Sequence, residues 1–402
     1  MRSDGASMPG QTMVAAAVAG AALLAPAAGR AQDVAWRVER ADAPVAGTDV
    51  LESRWQLARA PGAPADRIQL HRYRTRAPRH AVLYFLPGTN MNGQAAVTDE
   101  DHNLWLFLAR RGVEVFTLDY RTHFLPAEAP PDLQALRGWT VETFVDDIRA
   151  AGRKGREESG GARLFVAGFS RGVSLAYAYA GVEPEAVAGL VALDGAFKNH
   201  APKARYDRAT EAAKLESAAS WARDLAGRSG WPARLQLMQS AAASPDAPAL
   251  DAKYATVGAQ VADVLYNAWQ PGALANPKDG LSKPQVLARL LVGYDRYYPA
   301  VQDVDGRAIA DREDDPATAV DDRWGELSLP ILYFGATGMG TEWLLDGIHS
   351  AGASGSKDVT IHVLERYGHL DVIVGEQARR DVFEPMLAWI LARAAAGSTS
   401  GP

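Results

Sequence analysis

Two periodicities organise this chain, and the places where one yields to the other mark its layout. Residues 50–57 and 68–74 carry partly alternating apolar positions, with Ile68 and Leu70 leading into His71 and Tyr73. That pattern predicts an antiparallel hairpin at the edge of a sheet. A continuous apolar run follows at 81–86, and further strand-like, largely apolar stretches at 113–119, 162–166, 186–193, 330–335 and 359–364. Runs of that length, apolar on both sides, read as strands buried on both faces. Helical patterns separate them. Residues 104–109 end in Arg110-Arg111-Gly112, where basic side chains suit the negative helix end and glycine suits the left-handed cap. In 141–159, Val141, Phe144, Ile148 and Ala151 share one stripe, and 381–395 closes the pattern. Strand alternating with helix predicts the α/β class, a mostly parallel central sheet with helices on both faces.

The alternation stops between about 196 and 324. That stretch is Ala-rich, helical in pattern, and holds Trp221, Trp231, Tyr254, Tyr266, Trp269, Tyr294, Tyr297 and Tyr298. It lies between two sheet strands, so it reads as an inserted helical cap. The expected layout is a first core segment 32–195, the cap 196–324, a second core segment 325–396 and a disordered tail 397–402.

Composition narrows the classes. The 402 residues are 48% hydrophobic and 22% charged, with a formal net charge of −6. No basic block suggests nucleic acid. The chain has no cysteine, which removes disulfides and thiolate chemistry. At the N-terminus, Arg2 precedes an apolar run over 13–26 and small residues up to Gly29-Arg30-Ala31. That order suggests an export signal over 1–31 and a secreted or periplasmic protein. The run is shorter than the roughly 20 residues a bilayer-spanning helix needs, so no stable membrane span is expected.

The most informative junction is Gly168-Phe169-Ser170-Arg171-Gly172, between the strand at 162–166 and a small-residue helix. Strand, Gly-x-Ser-x-Gly, helix is the context of a nucleophile elbow. The flanking glycines allow a sharp turn that holds the hydroxyl out at a helix N-terminus, where developing negative charge is favoured. A serine hydroxyl needs a base, and the base needs an orienting acid. Of the eight histidines, His369 stands in Tyr367-Gly368-His369-Leu370-Asp371, just past the last strand. Its late position fits the order serine, acid, histidine. The acidic stretches 303–306 and 311–315 do not satisfy an EF-hand loop and read as solvated loop.

With the elbow and the histidine segment, the chain resembles a serine hydrolase of the α/β-hydrolase family. The Gly-His-Leu-Asp segment followed by Val372-Ile373-Val374-Gly375, and the large cap, resemble the acid-lipase branch. The resemblance implies an esterase or lipase that needs no metal or cofactor, and the aromatics of the insertion, taken as a group, favour a small apolar ester. The backbone N–H groups of Thr89 and Arg171 would form its oxyanion hole.

Two departures stand out. Pro87-Gly88-Thr89-Asn90 replaces the usual His-Gly pair, and Asn90 and Asn92 read as turn residues more than as extra donors. The run Gly335-Ala336-Thr337-Gly338 has glycine where the family carries its acid. Glu342 and Asp194 compete to replace it, with Glu342 slightly favoured and Asp346 a remainder. Asp371 reads as a tie for its own loop. Arg171 is expected to pair with a local acid, Asp119 or Glu142, rather than with substrate. Alternatives are an acyltransferase or peptidase with the same triad, a cofactor-free lyase or peroxidase on this scaffold, or a hydrolase-fold binding protein without turnover.

Overall fold

Every residue of strand β4 (Ala81–Leu86) is buried, because successive side chains enter two different cores. Leu83 and Phe85 join one apolar cluster, and Val82, Tyr84 and Leu86 join another. The same division holds along β6 (Leu164–Phe169), β7 (Val187–Leu193) and β10 (Ile331–Ala336). A sheet with two apolar faces must be covered twice. Helices α1 (Leu104–Ala109) and α11 (Glu384–Ser398) cover one face, and α2 (Val141–Glu158) and α3 (Arg171–Val182) cover the other.

This architecture comes from a computed structural model, which describes residues 35–128, 133–201, 206–227, 230–269, 281–311 and 319–398. The expected export segment 1–31 and residues 399–402 of the expected tail lie outside the described residues. No helix among the described residues is long and apolar enough to cross a membrane.

The sheet has nine strands in the order β1-β2-β3-β5-β4-β6-β7-β10-β11. The added labels are β1 (Arg37–Pro44), β2 (Leu51–Ala58), β3 (Arg67–Arg74), β5 (Val113–Asp119) and β11 (Val359–Leu364). Pairing is antiparallel from β1 through β3 to β5, and parallel from β5 to β11. The expected hairpin is therefore present as β2 and β3, but the edge belongs to β1. That strand is largely exposed, with Val38 60% accessible, so it lacks the apolar alternation that would reveal it in sequence.

Between β7 and β10 lie α4 (Arg208–Ala218), α5 (Trp231–Ala243), α6 (Val257–Trp269), α7 (Pro284–Val292) and α8 (Ala300–Asp311). A short ribbon pairs β8 (Ala222–Asp224) with β9 (Tyr297–Pro299). Leu237, Val261, Leu287 and Tyr294 of this insertion join the same cluster as α1 and α11. The insertion is thus packed into the main core. Residues 303–306, expected as a loop, lie inside α8, and Asp305 is buried there against Arg208. The final helix begins at Glu384, after a wider π turn over Arg379–Phe383. Helices α9 (Thr341–Gly352) and α10 (Asp371–Val374) precede and follow β11 in the chain. Strand β11, expected to be buried on both faces, is instead the other edge of the sheet, with Ile361 and Val363 exposed, because it has a neighbour on one side only.

Because β4, β6, β7, β10 and β11 run parallel, their carboxyl ends share one edge. Thr89, Ser170, Asp194 and His369 all follow strand ends on that edge.

Candidate active site

The backbone at Ser170 is forced into a region L-residues avoid, with φ 56° and ψ −123°. A non-glycine residue held there costs about 1–3 kcal/mol, so the surroundings must over-determine it. They do so by steric contact. A Cβ at Gly168 would lie 2.2 Å from the Gly172 carbonyl oxygen, and one at Gly172 would lie 2.0 Å from that of Leu86. Ser170 N–H donates to the Leu193 carbonyl at 3.0 Å, which ties the turn to the end of β7. The Ser170 hydroxyl is not spent on capping α3.

His369 is presented by a loop with its own internal ties. Asp371 accepts from Gly368 N–H at 2.7 Å and from Ser282 Oγ at 2.5 Å, as its expected tying role requires. Arg366 takes a left-handed conformation (φ 67°) and donates its N–H to Thr337 Oγ1 at 2.9 Å. The imidazole stacks on Phe169, the residue before Ser170, at 4.6 Å, and meets the edge of Trp343 at 6.0 Å. Its Nδ1 lies 2.5 Å from Asp194 Oδ2. Asp194 is fully buried, and its Oδ1 accepts from Ala336 N–H at 2.9 Å and Trp343 Nε1–H at 3.3 Å. A buried carboxylate oxygen left without donors costs free energy, and these two supply them.

The carboxylate beside His369 is therefore Asp194, not the favoured Glu342. The Glu342 side chain is 73% exposed and faces His200, with Oε2 3.8 Å from Nε2. Asp346 accepts from His200 Nδ1 at 2.7 Å. Glycine at 338 also has a reason. A Cβ there would lie 2.5 Å from the Tyr367 carbonyl oxygen, so the histidine loop occupies the space an acid would need. Sequence reasoning missed Phe169 and Trp343 as walls of the imidazole. Their signal was adjacency to motif residues, which does not reveal orientation.

Arg171 pairs with neither expected acid. Its Nε donates to Tyr298 Oη at 3.3 Å and its Nη2 to the Gln302 carbonyl, while Asp119 is engaged by His71 and Gln69. The amides of Asn90 and Asn92 are spent on residues of the insertion. Asn90 Nδ2 donates to the Asp295 carbonyl at 2.9 Å, and Asn92 Nδ2 donates to that of Gly293 at 2.6 Å.

No protein-family model matches the chain, and no curated protein matches it. Solved structures do. A protein from Sulfolobus solfataricus described as a "putative lipase" is similar with a TM-score of 0.70 at 23% identity, over 89% of this chain and 99% of that one. A highly thermostable carboxyl esterase from Bacillus coagulans is similar with a TM-score of 0.52 at 13% identity, over 85% of this chain and 99% of that one. The chain has the α/β-hydrolase fold.

In this hydrolase fold a cleft of about 640 Å³ opens beside Ser170, lined among others by Thr89, Arg171, Tyr206, Arg307 and Trp343. Of the insertion's aromatics, Trp221, Tyr294, Tyr297 and Tyr298 are buried core rather than cleft wall.

The loop bearing Thr89 is clamped by a charged junction. Asp295 N–H donates to the Asn90 carbonyl at 2.8 Å, and His123 Nδ1–H donates to Asp295 Oδ1 at 2.8 Å. His123 Nε2 lies 3.7 Å from Asp119 Oδ2. Burial opposes the imidazolium, but the Asp119 charge and the Asp295 contact outweigh it and raise the pKa to about 9. Asp119, buried but facing His71 and His123, is lowered to about 2. A raised histidine pKa stabilises the fold fully below its unfolded value of 6.5, and the contribution fades as pH climbs through about 9. That contribution is on the order of 3 kcal/mol. Melting temperature should therefore fall between about pH 7 and 10 more steeply in the native protein than in His123→Gln. Parallel profiles in calorimetry would disprove the charged junction.

Proposed function

We propose that this protein is a serine hydrolase that cleaves carboxylic esters through an acyl-enzyme. The contact that carries the reading is Asp194 Oδ2 to His369 Nδ1 at 2.5 Å, beside a serine held at φ 56°. The similarity to proteins described as a lipase and a carboxyl esterase supports it. Ser170 Oγ attacks the ester carbonyl while His369 Nε2 takes its proton. Asp194 keeps the other ring proton on Nδ1 and stabilises the imidazolium. The N–H groups of Thr89 and Arg171 receive the oxyanion; the first N–H groups of a helix have no partner within it. His369 then protonates the leaving alcohol. Water, deprotonated by the same imidazole, releases the acid and frees Ser170.

The acid's place after β7 departs from the acid-lipase pattern and leaves ester hydrolysis as the shared chemistry. The leader-like sequence supports action outside the cytoplasm, secreted or periplasmic. A small ester is the proposed partner. Its polarity follows from the cleft wall, because Trp221, Tyr294, Tyr297 and Tyr298, four of the aromatics that suggested an apolar one, are core.

A fluorophosphonate probe tests the reading directly. It should modify Ser170, located by mass spectrometry of the digested protein, and denatured protein should not react. A native protein that stays unlabelled would refute a working triad and favour a binding protein on this scaffold.

A further inference from the structure

We propose that the cleft beside Ser170 selects esters that carry a free carboxylate, and that the Arg171 guanidinium recognises it. The inference rests on the serine-hydrolase reading and names its substrate class.

Arg171 follows the nucleophile directly and lines the cleft with Ser170 and Thr89. Its partners, Tyr298 Oη and the Gln302 carbonyl, are neutral. Among the described residues no carboxylate lies within ion-pair distance of it, and its Nη1 has no hydrogen-bond partner. The nearby acids are committed elsewhere. Asp303 accepts from Arg223 at 2.6 Å, and Asp305 pairs with Arg208 at 2.7 Å.

The guanidinium also sits in a prepared place. It lies against the backbone of α8 at Gly306, where a Cβ would come within 1.9 Å of Nη1. Any other residue there would displace it. Glycine is disfavoured inside a helix, so this position trades helix stability for room.

The cleft carries a second cation of the same kind. Arg307 is exposed and lies over the Tyr206 ring, 6.0 Å from its centroid, with no carboxylate partner among the described residues. The third cation, Lys198, is paired with Asp321 at 2.5 Å. Of the cleft's carboxylates, Asp303 and Asp346 are held by Arg223 and His200, and Asp311 accepts the Tyr206 N–H at 3.1 Å. Two arginines without a carboxylate partner thus line the cleft, against one carboxylate that has only a backbone donor. A half-buried guanidinium without a counter-charge is unfavourable, and a substrate carboxylate can meet its fork with charge-assisted hydrogen bonds.

The test compares matched esters. Mono-p-nitrophenyl glutarate against p-nitrophenyl pentanoate places the carboxylate on the acyl side. Carboxymethyl butanoate against propyl butanoate places it on the alcohol side. In native protein kcat/KM should favour the anionic member of at least one pair by about tenfold or more. The preference should shrink in 0.5 M NaCl, as screening requires. Arg171→Gln keeps the backbone N–H, and it should bring that ratio close to one by raising KM for the anionic ester. Gly306→Ala, which evicts the guanidinium without altering the residue beside Ser170, should do the same.

A purely structural strut between α3 and α8 predicts that Arg171→Gln slows both esters of a pair equally, and that result overturns the proposal. Neutral esters preferred in both pairs by native protein overturn it too, while leaving ester hydrolysis intact. No turnover of any ester together with no fluorophosphonate labelling removes both readings at once.

Discussion

Ser170→Ala should lower kcat/KM for p-nitrophenyl butanoate by about 10⁴ to 10⁶ while leaving the fold in place. The loss is large because no neighbouring group can replace the attacking oxygen, and the remaining donors only polarise the carbonyl. The fold survives because the elbow is shaped by its neighbours. Gly168, Gly172 and the Leu193 carbonyl set the turn, and the hydroxyl caps nothing on α3. Alanine meets the same positive φ as serine, so the backbone strain is unchanged. Circular dichroism and melting temperature should match the parent. Turnover within tenfold of the parent would place the nucleophile elsewhere.

Asp194→Asn should cost about 10⁴ in kcat, whereas Glu342→Gln should change it less than about twofold. The size of the first effect follows from where the amide must point. Oδ1 of Asp194 receives N–H donors from Ala336 and Trp343. An asparagine must keep its carbonyl oxygen there and turn its NH₂ toward His369 Nδ1. The ring then accepts at Nδ1 and carries its proton on Nε2, so it no longer takes the serine proton. Glu342, 73% exposed and 3.8 Å from His200, has no comparable hold on the imidazole. Steady-state kinetics of the two variants, with fluorophosphonate labelling rates, decide between them. A collapse in Glu342→Gln with Asp194→Asn near normal would reverse the assignment.

The substrate question turns on side-chain placement more than on composition. Aromatics in the insertion suggest an apolar ester when read along the chain. In space, Trp221, Tyr294, Tyr297 and Tyr298 fill the core, and the Ser170 cleft is walled by Arg171, Tyr206, Arg307 and several acids. Arg171 itself lies against α8 rather than beside Asp119, because Asp119 is already held by His71 and Gln69 deep in the sheet.

What was legible in the sequence is what local rules determine. Doubly apolar strands such as Ala81–Leu86 announce a sheet covered on both faces, since no other place accepts them. The elbow at Ser170 is legible because its turn needs small residues at fixed spacing, and spacing is a property of the chain. The histidine loop is legible for the same reason, by its position after the last strand. The acid was not. Asp194 and Glu342 are equally good carboxylates in one dimension, and only the register of β7 against β10 brings one of them under the imidazole. The absence of an acid at Gly338 likewise depends on the Tyr367 carbonyl that passes over it. Strand β1 stayed hidden because its sequence is mostly polar and its residues mostly exposed, so it carries no apolar pattern to read, whereas the other edge, β11, keeps Val359, Ile361 and Val363. Chemistry that depends on a single neighbour within a few ångströms belongs to the packed structure, because packing alone decides which distant residues meet.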